Sequence, residues 1–147
     1  MLRMGFGGHM KKAGVRILLV EDEVEVAETV SDLLTALGHE VAVANDAETA
    51  IKLLREVPPF QVLVSNIVMP GLSGAELAME ARRIAKDIRV VLTSGYSASV
   101  VESARREVPG CCYLPKPYSM KELSDVVEAC LGRSDPVQTQ AIPTGGA

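Results

Sequence analysis

Arg16-Ile-Leu-Leu-Val-Glu-Asp-Glu23 joins four consecutive apolar residues to three consecutive acids. An apolar run without alternation is a strand buried on both faces, the habit of parallel sheets covered by helices. The acids mark its end. Beyond them Val24, Ala27, Val30, Leu33, Leu34 and Leu37 recur at helical spacing, and Gly38 stands where a helix C-cap belongs. A buried strand followed directly by an amphipathic helix is one βα unit, so the fold class depends on whether that unit repeats.

It does repeat. Glu40–Ala44 reads as a second strand. Asn45 or Asp46 can cap a helix carrying Ala47, Ala50, Ile51, Leu54 and Val57, which Pro58-Pro59 ends. Val62–Ser65 is a third strand; Gly71 and Gly74 bracket a loop, and a helix follows with Leu77, Ala78, Ala81 and Ile84 inward. Val90–Thr93 is a fourth strand, followed by a shorter helix with Val100, Val101, Ala104 and Val108. Cys112–Leu114 is a brief fifth strand, and the last helix turns Met120, Leu123, Val126, Val127 and Cys130 inward. The pattern predicts an α/β fold, (βα)5: a doubly wound five-stranded parallel sheet with right-handed crossovers and helices on both faces. No two-residue Asn-Gly or Asp-Gly turn joins two strands, which speaks against hairpins.

Composition sets the bounds. At 147 residues, 48% hydrophobic and 23% charged, the chain has the make-up of one globular domain. We expect a flexible leader at 1–14, the folded domain at 15–132 and a disordered Pro/Gly/polar tail at 133–147. Aromatics are few (Phe6, Phe60, Tyr96, Tyr113, Tyr118) and Trp is absent, so the core is aliphatic. A net charge of −4 disfavours binding nucleic acid or an anionic membrane surface by charge. No apolar run approaches the ~18 residues of a membrane span, so no membrane insertion is expected. Cys111, Cys112 and Cys130 fit neither a disulfide framework nor a zinc site, and free thiols point to the cytoplasm. Cys111 and Cys112 read as packing residues, since no resolving partner stands at C-x-x-C spacing.

Open parallel sheets bind ligands at the carboxyl ends of their strands. Glu21-Asp22-Glu23, Ser65-Asn66, Thr93-Ser94-Gly95 and Pro115-Lys116-Pro117 should therefore converge on one edge. Carboxylates with an amide oxygen are hard ligands suited to Mg²⁺ rather than zinc. A lysine and a serine hydroxyl beside such a cation can clamp phosphoryl oxygens. There is no G-x-x-x-x-G-K-[ST] and no G-x-G-x-x-G after a strand, which leaves no nucleotide loop. Each residue also has a plainer use: acids favour a helix N-terminus, and Tyr113 could simply fill core.

The ordered motifs LLVEDE (18–23), VSNIVMPGLSG (64–74), VVLTSGY (90–96) and LPKPYS (114–119) resemble the signature of response-regulator receiver domains, the CheY-like modules of two-component systems. They are similar in flavour to the receiver modules of hybrid sensor histidine kinases. The resemblance implies the flavodoxin-like strand order 2-1-3-4-5. It implies that Glu21 and Asp22 hold Mg²⁺, that the Val68 carbonyl completes the metal site, and that Lys116 bonds a phosphoryl oxygen. Ser94 would contact the phosphoryl group and move on activation together with the switch residue Tyr113, and Pro117 would follow a cis peptide bond. The implied partners are a histidine kinase or a histidine phosphotransfer protein, and a second copy through the surface of the fourth helix, fifth strand and fifth helix. The implied role is signalling rather than conventional enzyme catalysis.

One position departs from that pattern. Asn66 stands where the family carries the aspartate that accepts the phosphoryl group. An amide oxygen is a far weaker nucleophile than a carboxylate, and an acyl phosphate cannot form from it without loss of nitrogen. The expectation is a receiver that is not phosphorylated at its own site and binds Mg²⁺ weakly. Asn66 reads either as a block introduced into a working receiver or as the natural residue of a pseudo-receiver, a protein-interaction module that does not depend on phosphorylation.

Overall fold

The computed structural model describes residues 14–56, 59–95 and 98–132. The expected leader (but for Gly14) and tail, together with Val57, Pro58 and Tyr96, lie outside the described residues. Five strands alternate with five helices: β1 Arg16–Val20, α1 Val24–Ala36, β2 Glu40–Ala44, α2 Ala47–Glu56, β3 Val62–Asn66, α3 Gly74–Ile84, β4 Arg89–Ser94, α4 Ala98–Glu107, β5 Cys112–Pro115 and α5 Met120–Cys130. The strands form one sheet in the order β2-β1-β3-β4-β5, every pair parallel. Doubly wound (βα)5 architecture thus follows from the repeated strand–helix unit.

Side-chain alternation divides the core into two layers. Leu18, Leu63, Val90 and Leu92 point to the side packed by Ala50 and Leu54 of α2, Leu77 and Ala78 of α3, and Ala104 of α4. Ile17, Leu19, Val62, Val64 and Val91 point to the opposite side, with Val30 and Leu34 of α1 and Leu123, Val126 and Val127 of α5. Strands buried on both faces explain why their sequence shows no polar alternation.

Local signals set the helix ends. Ser73 and Ser119 each accept from the backbone N–H three residues on, while Glu76 and Glu122 reach back to the serine N–H, closing two capping boxes. Of the two cap candidates for α2, Asp46 takes the position by accepting from the Thr49 N–H at 2.8 Å. Gly38 follows the end of α1 with φ 99°, a conformation that favours glycine.

Three expectations need correction. Val24 and Met120 do not face the core; they are 55% and 40% exposed. Both begin their helices at the carboxyl edge of the sheet, where the first turn overhangs the strands, so the inward stripe starts one turn later. Gly74 does not bracket the loop but is the first residue of α3. Its N–H donates to the Ile67 carbonyl at 2.7 Å, and a Cβ built on it would lie 1.9 Å from the Asn66 carbonyl oxygen.

Candidate functional site

Sheet order reverses between β1 and β3, and the carboxyl ends of these strands, with those of β4 and β5, border a cleft of about 120 Å³. Glu21, Asp22, Glu23, Asn66, Val68, Thr93, Ser94, Gly95 and Lys116 line it. Four segments distant in sequence therefore meet at one edge, because each βα connection leaves its strand there. Pro117 lies just beyond, after a cis peptide bond from Lys116.

At the centre sits the Asn66 side chain. Its Nδ2 donates to Glu21 Oε2 at 2.9 Å and to Asp22 Oδ1 at 3.1 Å. Its Oδ1 accepts from the Thr93 hydroxyl at 2.9 Å. This network fixes the amide's orientation, since the reverse would set its oxygen against two carboxylates. Asn66 is 7% exposed and all its side-chain polar atoms are paired. Glu21, 4% exposed, is engaged on both oxygens: Oε1 meets Lys116 Nζ at 3.2 Å, and Oε2 also accepts from the Glu23 N–H at 3.0 Å. A buried carboxylate is tolerable only with such partners.

The supporting contacts reach outward. Asn45, not needed as a helix cap, donates from Nδ2 to the Glu21 carbonyl at 2.9 Å and ties the β2 end to the acidic loop. The Tyr113 hydroxyl donates to the Ser94 carbonyl at 2.8 Å, and the Lys116 N–H donates to the same oxygen at 3.0 Å. Burial raises the Tyr113 phenol above its ordinary value, with the Ser94 bond opposing. Tyr118, on the loop before α5, has its phenol pushed up to about 12 by burial and then by the Glu21 carboxylate.

Every residue expected at the site thus borders the cleft or adjoins it: Glu21, Asp22, Asn66, Val68, Ser94 and Lys116 line it, while Tyr113 and Pro117 flank it. The strand-end clusters include Thr93 but give it no role, and sequence reasoning missed the site contacts of Asn45 and Gly74. Thr93 carries the signal of a strand-end hydroxyl. Gly74 marks a close backbone approach, and that signal was read as a loop.

As donors, Glu21, Asp22 and the Val68 carbonyl are hard oxygens of the kind Mg²⁺ takes. The set has one carboxylate fewer than an aspartate at 66 would provide. Among the described residues no cluster of three or more His, Cys, Asp or Glu side chains is arranged to hold a metal ion.

Fold and cleft together define a doubly wound α/β domain whose chemistry sits at the switch point of its sheet. More narrowly, the chain belongs to the response regulator receiver domain family, whose sequence model matches residues 17–128. It is similar to the sensor kinase CckA of Brucella abortus, 32% identical over 81% of this chain and 13% of that protein. It is also similar to a response regulator receiver protein of Anaeromyxobacter sp., 35% identical over 76% of this chain and 46% of that one. Among solved structures, the receiver domain of the hybrid histidine kinase CckA superposes with a TM-score of 0.67 at 35% identity, covering 79% of this chain and 98% of that one. The Thermotoga maritima regulator TrrA, solved with Mg(2+)-BeF, gives a TM-score of 0.69 at 29% identity, covering 79% and 98%. The chain spans 13% to 56% of the length of the curated relatives it matches. It is therefore a receiver domain of the two-component type, a signalling domain rather than a conventional enzyme. Receiver domains bind Mg²⁺ and interact with histidine kinases or phosphotransfer proteins.

Proposed function

We propose that this chain is a receiver whose own site does not accept a phosphoryl group, because Asn66 occupies the acceptor position. The observation that carries the reading is the Asn66 Nδ2 seated between Glu21 and Asp22. An amide lacks the anionic oxygen that attacks phosphorus, and here its nitrogen, not its oxygen, meets the acids. A cation entering between the two carboxylates must displace both hydrogen bonds, so Mg²⁺ binds weakly.

With aspartate at 66, the roles we assign are those of a phosphoacceptor site. Glu21, Asp22, the Val68 carbonyl and the side chain at 66 would hold Mg²⁺, which supplies positive charge against the phosphoryl oxygens. Lys116 and Ser94 would contact those oxygens. Ser94 and Tyr113 would carry the change to the face formed by α4, β5 and α5, since the Tyr113–Ser94 bond already joins β5 to the end of β4. That face would engage a second copy or another partner, and the domain would dock a histidine kinase or a histidine phosphotransfer protein. We place it in the cytoplasm and assign it neither nucleic-acid binding nor membrane insertion. In support, the net charge is −4, and no helix among the described residues is long and apolar enough to cross a membrane.

Acetyl phosphate and beryllofluoride, each with Mg²⁺, test the reading on the chain and on Asn66→Asp. We expect no phosphoprotein and no spectral response from the chain. An acid-stable or base-stable phosphoprotein at Asn66 itself would overturn the proposal. A response recovered by Asn66→Asp marks the substitution as a block in a working receiver. A variant that stays silent marks a pseudo-receiver that acts by binding alone.

A further inference from the structure

Behind the cleft, at the opposite pole of the sheet, two cysteines meet. Cys112 is the first residue of β5 and Cys130 the last of α5, which packs against β5. Cys112 stands in register with Val91 of β4, and the Cys130 thiol donates to the carbonyl of the adjacent Val90 at 3.7 Å. Adjacent strands lie about 4.8 Å apart, so both sulfurs occupy the same small region between sheet and helix. Both residues belong to one core layer, and each thiol acts on the acidity of the other. Cys112 is partly exposed, whereas Cys130 is buried. The Arg89 guanidinium, held by the Cys130 carbonyl at 2.9 Å, lies beside both.

We propose that Cys112 and Cys130 are a redox pair that closes to a disulfide under hydrogen peroxide, stapling β5 to the last turn of α5. Spacing along the chain hides this pair, because the resolving partner comes from a different element. Chemically the roles divide. The neighbouring Cys130 thiol holds the Cys112 thiol below its ordinary value, against burial and with help from Arg89, while burial raises Cys111. Cys112 is thus the better nucleophile of the adjacent two.

The step balances as follows. Cys112 gives its proton to solvent, and its thiolate attacks one peroxide oxygen. The O–O bond breaks and hydroxide leaves, taking up that proton as water, with Cys112 left as a sulfenic acid. The Cys130 sulfur then attacks the Cys112 sulfur; an S–S bond forms, the S–O bond breaks, and the Cys130 proton leaves with the hydroxyl as a second water. Two thiols are oxidised and one peroxide is reduced to two waters. The staple joins two elements of the proposed output face and is independent of the residue at 66.

Peroxide treatment of the full chain, followed by denaturation, thiol titration and tryptic mapping under non-reducing conditions, tests this. The three free thiols should fall to one, and dithiothreitol should restore them. The peptide spanning 107–121 should appear joined to the one spanning 122–133. Cys111→Ser should keep the link, and Cys112→Ser should abolish it. Three unreacted thiols, a Cys111–Cys112 bond, or a sulfinic acid at Cys112 with Cys130 still free would each overturn the pairing. Mapping the unmutated chain decides the matter even if Cys130→Ser fails to fold.

Discussion

An amide between two carboxylates behaves as a small neutral bridge where a cation could otherwise sit. Asn66 gives both of its N–H groups to Glu21 and Asp22 and takes a hydroxyl from Thr93. An aspartate there withdraws two donors and adds a third negative charge. Asn66→Asp should therefore cost about 2–4 kcal/mol in EDTA, read as a lower urea midpoint. Mg²⁺ should raise that variant's midpoint more than it raises the parent's. An aspartate variant as stable as the parent in EDTA would show that the bridge contributes nothing. Tyr118 gives a separate prediction at high pH. Burial and Glu21 push its phenol up to about 12, whereas an unfolded tyrosine ionises near pH ~10. The folded chain holds that proton more tightly, so this contribution is complete below pH ~10 and disappears as the pH climbs through the folded value. Tyr118→Phe should flatten the fall in urea midpoint between about pH 10 and about pH 12. An unchanged fall would assign the alkaline loss to other groups.

At the scale of elements, α3 and α5 owe their starts to capping boxes, and α3 also to a glycine. Ser119→Ala removes the acceptor for the Glu122 N–H and should cost about 1 kcal/mol, seen as a lower thermal midpoint. Gly74 is more demanding, because the α3 backbone passes against the backbone of Asn66. Gly74→Ala must push the two apart and should cost at least about 2 kcal/mol. Gly95 lines the same cleft, yet a Cβ there meets nothing nearer than Lys116 Cβ at 3.8 Å. Gly95→Ala should stay within about 0.5 kcal/mol of the parent. Equal costs at the two glycines in chemical denaturation would remove the close-approach argument. The glycine therefore links helix placement to the site: the contact that seats α3 also fixes the backbone carrying Asn66.

For the molecule as a whole, one sheet shared by two core layers implies one cooperative unit. Tyr113 packs against the layer of α2, α3 and α4, and Tyr118 against that of α1 and α5. Tyrosine fluorescence from single-tyrosine variants should give the same urea midpoint for either layer, coincident with far-ultraviolet circular dichroism. Leu63→Ala empties one layer and should lower both midpoints together, by about 2–5 kcal/mol of stability. Midpoints that separate would mean the layers melt independently. The sheet also sets the polarity of function. The acidic cleft lies at the carboxyl ends of the strands and the thiol pair at the start of β5, so the two sites stand at opposite ends of the sheet.

Sequence alone determined the strand–helix alternation, the aliphatic core and the four clusters at the strand ends. These are local signals: a fully buried strand must be apolar throughout, and an amphipathic helix must repeat its apolar face. Motif order also carried the resemblance to the family and set Asn66 where that resemblance implies an aspartate. Tertiary structure decided which group Asn66 faces, since its partners lie 45, 44 and 27 residues away. It gave Asn45 to the Glu21 carbonyl rather than to a helix cap, set Gly74 against the Asn66 backbone, and turned Val24 and Met120 to solvent. It also brought Cys130 to Cys112, which spacing had left without a partner. Periodicity records what each element buries, but a hydrogen bond or a thiol pair depends on which elements the sheet order makes neighbours.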